Sequence, residues 1–148
     1  MIVAFVRHGA VRNSQTDPEL TSLGHRMSLE AGRWLKSNGY IPDVCWSTNT
    51  RRTVQTAANL ILGCEKEIAV NTLEMNEFDL TLDFLTILIS NNSDFKTGLF
   101  CCHQPLLENL RNNFAPNSPS IRFASALVMR YSDGDWKYAD AWPGRPNY

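Results

Sequence analysis

Ile2-Val3-Ala4-Phe5-Val6-Arg7-His8-Gly9 is the most informative stretch of this chain, because five apolar residues lead directly into an arginine, a histidine and a glycine. A short run of branched and aromatic residues is typical of a strand buried on both faces of a parallel sheet. Glycine allows a sharp turn and a close approach of the backbone to a ligand. The stretch therefore predicts a strand that delivers Arg7 and His8 to the edge of a sheet.

A second histidine occupies the same kind of position. His103 follows the apolar run Gly98-Leu99-Phe100-Cys101-Cys102, and the chain has only 3 histidines in total. In an open parallel α/β sheet, ligands bind outside the carboxyl ends of the strands, so two such ends can meet at one crevice. We therefore expect His8 and His103 to share a site.

A third predicted strand, Asp43-Val44-Cys45-Trp46-Ser47, precedes a helix that begins near Arg51 and Arg52. A helix N-terminus carries unsatisfied backbone N–H groups and a positive dipole end, which disfavour cations unless an anion is present. The arginine pair therefore indicates an anion site. We expect Arg52 to face the anion and Arg51 to be a solvated surface charge.

Two helices and a hairpin are predicted around these strands. Apolar residues at helical spacing, expected to face the core, are Leu23, Met27, Ala31, Trp34 and Leu35, then Val54, Ala57, Ala58 and Ile61. Gly39 is the expected stop of the first helix. Asp133-Gly134, between two strand-like runs, predicts an antiparallel hairpin at one edge of the sheet. We expect one domain, 1–148, because a chain of this length forms a single core.

In type and order, these segments resemble the motifs of the histidine phosphatase superfamily, also called the phosphoglycerate mutase-like fold. Arg7-His8-Gly9 resembles the opening Arg-His-Gly of that family, and Leu20-Thr21-Ser22-Leu23-Gly24 resembles its Leu-Thr-x-x-Gly segment. Its Ser-Ser-Pro segment and Arg-x-x-Gln-Thr-Ala helix are matched by Ser47-Thr48-Asn49 and Arg52-Thr53-Val54-Gln55-Thr56-Ala57. His103-Gln104-Pro105 resembles its second histidine motif.

The resemblance implies a three-layer α/β/α sandwich with a mostly parallel sheet. It also implies a metal-independent phosphohydrolase without a cofactor, in which His8 becomes phosphorylated and Arg7, Arg52 and His103 bind the phosphoryl group. The chemistry of arginine and histidine agrees with these implied roles. Guanidinium is a permanently charged planar fork that matches phosphate oxygens, and a neutral imidazole can attack through one nitrogen.

The general acid is the least defined of the implied roles. Met75-Asn76-Glu77 resembles the Leu-x-Glu that carries the acid in mutase-like members, which favours Glu77 over Glu74. A solvated loop carboxylate is the other interpretation of Glu77. Phosphohistidine substrates relax the requirement for an acid, because imidazole is a better leaving group than an alcohol, and the compact SixA-type members of the family can work without it.

Departures from the family pattern distinguish between the subgroups of the family that this chain resembles. Ala10-Val11 stand where mutase-like members have Glu or Gln followed by Thr or Ser, and SixA-type phosphohistidine phosphatases share this looser pattern. Asn49 stands where proline is usual. The phosphate-contacting asparagine of the family falls at Ser14, whereas this chain has Asn13 one place earlier. Either residue, or neither, would contact phosphate.

The expected substrate is a phosphohistidine-bearing protein. The interval from Glu77 to His103 leaves room for one helix and one strand, where larger members insert a helical cap, so we expect a minimal cap and an open site. A small-molecule phosphomonoesterase is one alternative. The other is a non-catalytic module that binds phosphorylated partners. A mutase is disfavoured, because nothing in the sequence suggests a second anion site for a bisphosphate.

Composition and charge restrict the expected partners and cellular location. The net charge is −1 with positive and negative residues mixed, so the sequence lacks the basic surface that nucleic-acid binding requires. No apolar run approaches the length of a membrane span, and the N-terminal run lacks a basic leader, so we expect a soluble, cytoplasmic protein with no membrane partner. The 4 cysteines show no CxxC spacing and are expected to be reduced core residues. Cys101 and Cys102 should point to opposite faces of a strand, which argues against a metal site.

Overall fold

The structure is a computed structural model that describes residues 1–12, 16–75, 79–92 and 94–144. The strands are β1 (Ile2–Arg7), β2 (Val44–Thr48), β3 (Val70–Leu73), β4 (Thr97–Cys102), β5 (Ala126–Ser132) and β6 (Asp135–Trp142). The helices are α1 (Ser22–Ser37), α2 (Arg51–Gly63), α3 (Leu82–Asn91) and α4 (Gln104–Phe114). Helices therefore follow β1, β2, β3 and β4 in turn, and β5 and β6 are consecutive.

The strands form one sheet in the order β3-β2-β4-β1-β5-β6. β1 pairs with β4, β4 with β2 and β2 with β3, all in parallel, whereas β5 is antiparallel to β1 and to β6. Asp133 and Gly134 have φ angles of 52° and 81°, the left-handed conformations that a two-residue hairpin turn requires. The predictions of a mostly parallel sheet and of a hairpin at its edge are confirmed.

Helices cover both faces of the sheet. On one face, Met27 of α1 and Leu60 of α2 pack in one hydrophobic cluster with Val6 of β1. On the other face, Leu85 of α3 and Leu107 of α4 pack in a second cluster with Phe5. Successive residues of β1 thus face opposite layers, as expected for a strand buried on both sides. The predicted three-layer α/β/α sandwich is confirmed.

The core face of α2 differs from the prediction at two positions, of which the first, Val54, is only half-buried and belongs to neither hydrophobic cluster. Ala58 is exposed, whereas Leu60 is fully buried beside Ala57 and Ile61. α2 packs closely on α1 here, because a Cβ on Gly32 of α1 would lie only 2.4 Å from the Leu60 carbonyl oxygen. The helix therefore turns Leu60 toward α1, and the prediction for Ala58 is wrong.

The connection between β3 and β4 is short. Within the described residues it contains one α-helix, α3, which fits the expected minimal cap. The four cysteines are free and buried, with Cys101 and Cys102 in the two different clusters, as predicted from strand alternation. In the part of the chain that the structure describes, no helix is both long and apolar enough to cross a membrane.

Candidate active site

The pairing of β1 with β4 brings the two predicted histidines together. Arg7 and Cys102, each the last residue of its strand, are partners in the parallel register, and the His8 N–H donates to the Cys102 carbonyl oxygen over 3.2 Å. His8 and His103 are the next residues, so they lie side by side at the end of the sheet. Their ring centroids are 5.8 Å apart with the rings edge to face, and their exposed fractions are 8% and 3%.

The His8 ring is held in one tautomer. Its Nδ1 lies 2.8 Å from the carbonyl oxygen of Gly9. Because a carbonyl only accepts, Nδ1 carries the proton and Nε2 of the neutral ring keeps its lone pair. Burial lowers the pKa of His8 to about 4, against the opposing effect of the Gly9 hydrogen bond and with smaller contributions from Arg52 and Arg7. His8 is therefore neutral at neutral pH.

His103 contacts two side chains through its two ring nitrogens. Nε2 lies 2.9 Å from the Thr48 hydroxyl, and Nδ1 lies 3.3 Å from Nη2 of Arg52. Burial lowers the pKa of His103 to about 3, and the charge of Arg52 and the proximity of His8 act in the same direction. The free site therefore combines two neutral imidazoles with positive charge.

The two arginines at the start of α2 have different environments. Thr50 is the N-cap of the helix, and Arg52, half-buried, points its guanidinium toward His103. Arg51 is exposed, with Nη2 2.7 Å from a carboxylate oxygen of Glu19 and its backbone N–H donating to Asp17. The structure thus places Arg52 in the crevice and Arg51 on the surface, as the sequence indicated.

Arg7 lies on the other side of His8, beneath an aromatic ring. Its guanidinium carbon is 4.2 Å from the ring centroid of Phe123, and that ring is 5.8 Å from the ring of His8. Among the described residues, the buried Nε of Arg7 has no hydrogen-bond partner, and burial lowers the pKa of the guanidinium. Phe123 was not identified from the sequence, because a single aromatic residue ahead of a strand is too common a signal.

Other residues of the α2 motif hold the His8 loop in place. The Gly9 N–H donates to the Thr56 hydroxyl over 3.0 Å, and that hydroxyl donates to the Arg52 carbonyl oxygen over 2.7 Å. The side-chain oxygen of Gln55 accepts from the Leu20 N–H over 2.8 Å. The motif thus connects the first histidine segment, the Leu-Thr segment and the second arginine, roles that the sequence pattern did not reveal.

Of the remaining predicted site residues, the structure describes only Glu74. Glu77, Asn13 and Ser14 lie outside the described residues. Glu74 follows β3 with an exposed side chain. No three potential metal ligands among His, Cys, Asp and Glu cluster anywhere in the described ranges. What the geometry does assemble, two arginines around two neutral imidazoles, suits an anion with several oxygens, such as a phosphoryl group.

Solved structures share this fold. The protein histidine phosphatase SixA, complexed with tungstate, superposes with a TM-score of 0.80 over 95% of this chain and 96% of that one, at 18% sequence identity. A mutant phosphoserine phosphatase from Entamoeba histolytica, in complex with phosphoserine, matches with a TM-score of 0.68 over 95% of each chain, at 13% identity. At these identities the likeness establishes the architecture.

Sequence comparison establishes the family. A 2,3-bisphosphoglycerate-dependent phosphoglycerate mutase from Methylorubrum populi is 49% identical over 66 residues, which are 43% of this chain and 31% of that protein. The matched segment thus spans about a third of the length of that relative. The family model of the histidine phosphatase superfamily (branch 1) matches residues 3–81, more than half of the chain. The chain therefore belongs to the histidine phosphatase superfamily, which confirms the family that the sequence motifs predicted.

Proposed function

We propose that this protein is a metal-independent phosphohydrolase that acts through a phosphohistidine intermediate on His8. The observation that carries the proposal is the orientation of the His8 ring, whose Nδ1 donates to Gly9 over 2.8 Å. This bond leaves the lone pair of Nε2 available in a ring that is neutral because burial lowers its pKa to about 4. An activated nucleophile needs such a lone pair, held in one direction.

Hydrolysis proceeds in two steps. Nε2 of His8 attacks phosphorus, and the bond to the leaving group breaks as the N–P bond forms. The leaving group takes the electron pair and a proton from solvent or from a general acid. Water then attacks phosphorus, the N–P electron pair returns to Nε2, and inorganic phosphate is released. Arg7 and Arg52 stabilise the charge on the equatorial oxygens in both steps, which is the largest contribution a protein makes to phosphoryl transfer.

We propose protein phosphohistidine as the substrate class. The overall shape supports it, because SixA aligns over nearly the whole chain and a single helix separates β3 from β4 in the described residues. A site with a minimal cap would admit a side chain presented by another protein.

The proposal treats residues 1–148 as one catalytic domain, because the site takes residues from β1, α2 and the β4–α4 junction. A cytoplasmic setting belongs to the same proposal. Four free, buried cysteines are compatible with a reducing compartment.

The experiment uses a phosphohistidine-bearing protein and p-nitrophenyl phosphate, each incubated with the protein in the presence of a chelator. Turnover is measured, and any phosphoryl label trapped on the protein is tested for stability to acid and base. Wild type is compared with His8→Ala and with His25→Ala, which removes the exposed histidine of α1. We expect acid-labile, base-stable label on wild type and His25→Ala, none on His8→Ala, and turnover of the phosphohistidine protein.

A small-molecule phosphomonoesterase is the second candidate. It is favoured by the mutase from Methylorubrum populi and by the shared fold of phosphoserine phosphatase. Turnover of the ester alone would select it, and Glu77→Gln would then abolish ester hydrolysis, with Glu74→Gln as the matched control. No label and no turnover of either substrate, with phosphate-competable binding retained, would identify a binding module.

A further inference from the structure

A chain of buried hydroxyl groups leads away from His103. The Thr48 hydroxyl lies 2.9 Å from Nε2 of His103 and 2.9 Å from the Thr53 hydroxyl. The Thr53 hydroxyl in turn lies 2.8 Å from the carbonyl oxygen of Thr48 and 3.2 Å from that of Thr50. Both Thr48 and Thr53 are fully buried. Every proton in this chain must therefore be accounted for by a protein partner.

The direction of these hydrogen bonds is set at Thr53. The Thr53 hydroxyl also lies 2.6 Å from the Thr50 hydroxyl, so its single proton has that hydroxyl and two carbonyl oxygens as acceptors. The contact with Thr48 runs the other way, from the Thr48 hydroxyl to Thr53, and it uses the only proton of Thr48. Toward His103, Thr48 can therefore only accept. This places the proton of the neutral His103 ring on Nε2.

A contact on the opposite side of the ring leads independently to the same tautomer. Nη2 of Arg52 lies 3.3 Å from Nδ1 of His103, and a guanidinium group has donors only. Nδ1 is therefore an acceptor in the free protein, bare and next to Arg52. His103 thus carries its proton on the opposite nitrogen from His8, whose Nδ1 donates to Gly9.

We propose that Thr48 is a positioning residue that accepts the Nε2 proton of His103, and that His103 takes up a proton on Nδ1 when a phosphoryl group binds. The unprotonated oxygens of a phosphoryl group only accept, so an Nδ1 without a proton would repel them once Arg52 turns its donors to the anion. The proton on Nε2 cannot be released toward Thr48, because the Thr48 hydroxyl is already a donor to Thr53. Nδ1 gains a proton from solvent or from a monoanionic phosphoryl group, and no covalent bond between heavy atoms changes.

The charges around His103 favour this uptake only when the anion is present. The titratable and charged groups facing it, among the described residues, are Arg52 from α2 and His8, which follows β1, and they add to the effect of burial. Without an anion these surroundings keep the ring neutral. A dianion between the arginines adds negative charge beside the His103 ring and favours its protonated form. The imidazolium then donates to Thr48 from Nε2 and to the anion from Nδ1.

The inference rests on the proposed function only in requiring that the site binds a phosphoryl-like anion. Its first test needs no variant of Thr48. Long-range ¹H–¹⁵N NMR of histidine-labelled protein at about pH 8 reports which ring nitrogen carries a proton, with tungstate as the anion because SixA forms a complex with it. Spectra of wild type and of His8→Ala, which leaves His103 and His25 as the remaining histidines, assign the signals and remove any proton taken up by His8.

We expect the Nε2–H tautomer of His103 in the free protein and protons on both nitrogens at saturation with tungstate. Calorimetry of His8→Ala in two buffers of different ionisation enthalpy should show uptake of about one proton per tungstate bound. An Nδ1–H tautomer in the free protein, or a bare Nδ1 at saturation, would overturn the proposal. Failure of tungstate to bind would overturn the uptake step and the anion site together, whereas intact uptake without turnover of a phosphohistidine protein would contradict only the proposed function.

Variants of Thr48 then separate positioning from simple structural support. Thr48→Ser keeps the hydroxyl and should keep the tautomer and the proton count. Thr48→Val removes the acceptor of the Nε2 proton. The free ring should keep its tautomer, because Arg52 still donates to Nδ1, but the imidazolium loses one of its two partners and proton uptake should fall well below one per tungstate. We expect kcat/KM to fall about tenfold in Thr48→Val, which corresponds to about 1.4 kcal/mol of lost transition-state stabilisation. A merely structural Thr48 would change stability and leave the proton uptake as in wild type.

Discussion

Gly9 and Gly24 touch through their backbones. A Cβ on Gly9 would lie 2.5 Å from the carbonyl oxygen of Gly24, and a Cβ on Gly24 would lie 2.2 Å from that of Ala10. The same carbonyl of Gly24 accepts from the Ser28 hydroxyl over 2.8 Å. The glycine after His8 was expected to allow a close approach to a ligand, but the structure shows that its neighbour is α1. This contact holds the loop that carries His8 against the first turn of α1.

Substitution of Gly24 by alanine should therefore damage both stability and activity. The methyl group has no space, because the nearest atoms belong to backbone that cannot rotate away. We expect Gly24→Ala to lower the free energy of unfolding by about 3 kcal/mol, at the upper end of overpacking costs. Displacement of the His8 loop should also lower kcat/KM of the folded protein. Urea denaturation and steady-state kinetics measure the two effects.

Gly39→Ala is the matched control. Gly39 follows α1 with a φ of +79°, and a Cβ there would meet nothing within 4 Å. Its cost is conformational only, about 1–2 kcal/mol, with kcat/KM unchanged. Equal losses of activity in the two variants would show that the contact between Gly9 and Gly24 does not position His8.

The adjacent arginines of α2 allow a second test. Arg52 faces His103, whereas Arg51 is paired with Glu19 at the surface. We expect Arg52→Lys to lower kcat/KM by roughly 10- to 100-fold, because lysine keeps the charge but loses the planar fork. Arg51→Lys should remain within about twofold of wild type, since an exposed ion pair contributes little. Similar losses in both variants would contradict the assignment of Arg52 to the phosphoryl group.

How far the sequence determines the site depends on the kind of contact. His8 and His103 could be paired from sequence because each follows an apolar strand, and parallel strands end at the same edge of a sheet. Arg52 could be separated from Arg51 by its place in the motif. Phe123 and the direction of the Thr48 hydrogen bond could not be predicted, because both depend on how a loop and a strand end pack in three dimensions. Ala58 was misplaced for the same reason, since close packing of two helices moved the core face of α2.

The two site histidines should make the free energy of unfolding depend on pH. Imidazoles of the unfolded chain bind protons near pH 6.5, whereas His8 and His103 in the folded protein have pKa values of about 4 and about 3. Between these values the unfolded state holds more protons, so stability falls as the pH falls from about 6.5. The slope is at most about 1.4 kcal/mol per pH unit for each histidine.

Urea denaturation in buffers without phosphate or sulfate, between about pH 7 and pH 4.5, measures this slope. His103→Gln removes one of the two groups and should make the dependence shallower. Since both groups are neutral above about pH 7, the variant and the wild type should run parallel there. A slope in His103→Gln as steep as that of wild type would mean that His103 is not kept neutral by the fold.

The stacking of Phe123 on Arg7 should contribute to anion binding. The guanidinium lies 4.2 Å from the ring centroid, and the ring is 37% exposed, so the contact holds the cation in place at the rim of the site. A cation–π contact of this exposure is worth about 0.5–1 kcal/mol. We therefore expect Phe123→Leu to raise the inhibition constant of inorganic phosphate by about two- to fivefold and to lower kcat/KM by a similar factor. Phe123→Tyr, which keeps the ring, should behave as wild type.

Tyr138→Leu controls for the loss of a partly exposed aromatic side chain, because Tyr138 lies on β6 with 41% of its surface exposed. Phosphate inhibition should be unchanged in that variant. If Phe123→Leu also leaves it unchanged, Arg7 keeps its position without the ring. In that case the guanidinium must be held by its burial at the end of β1, and Phe123 only borders the crevice. A loss confined to Phe123→Leu, and recovered in Phe123→Tyr, would instead show that the stacked ring orients Arg7 toward the anion.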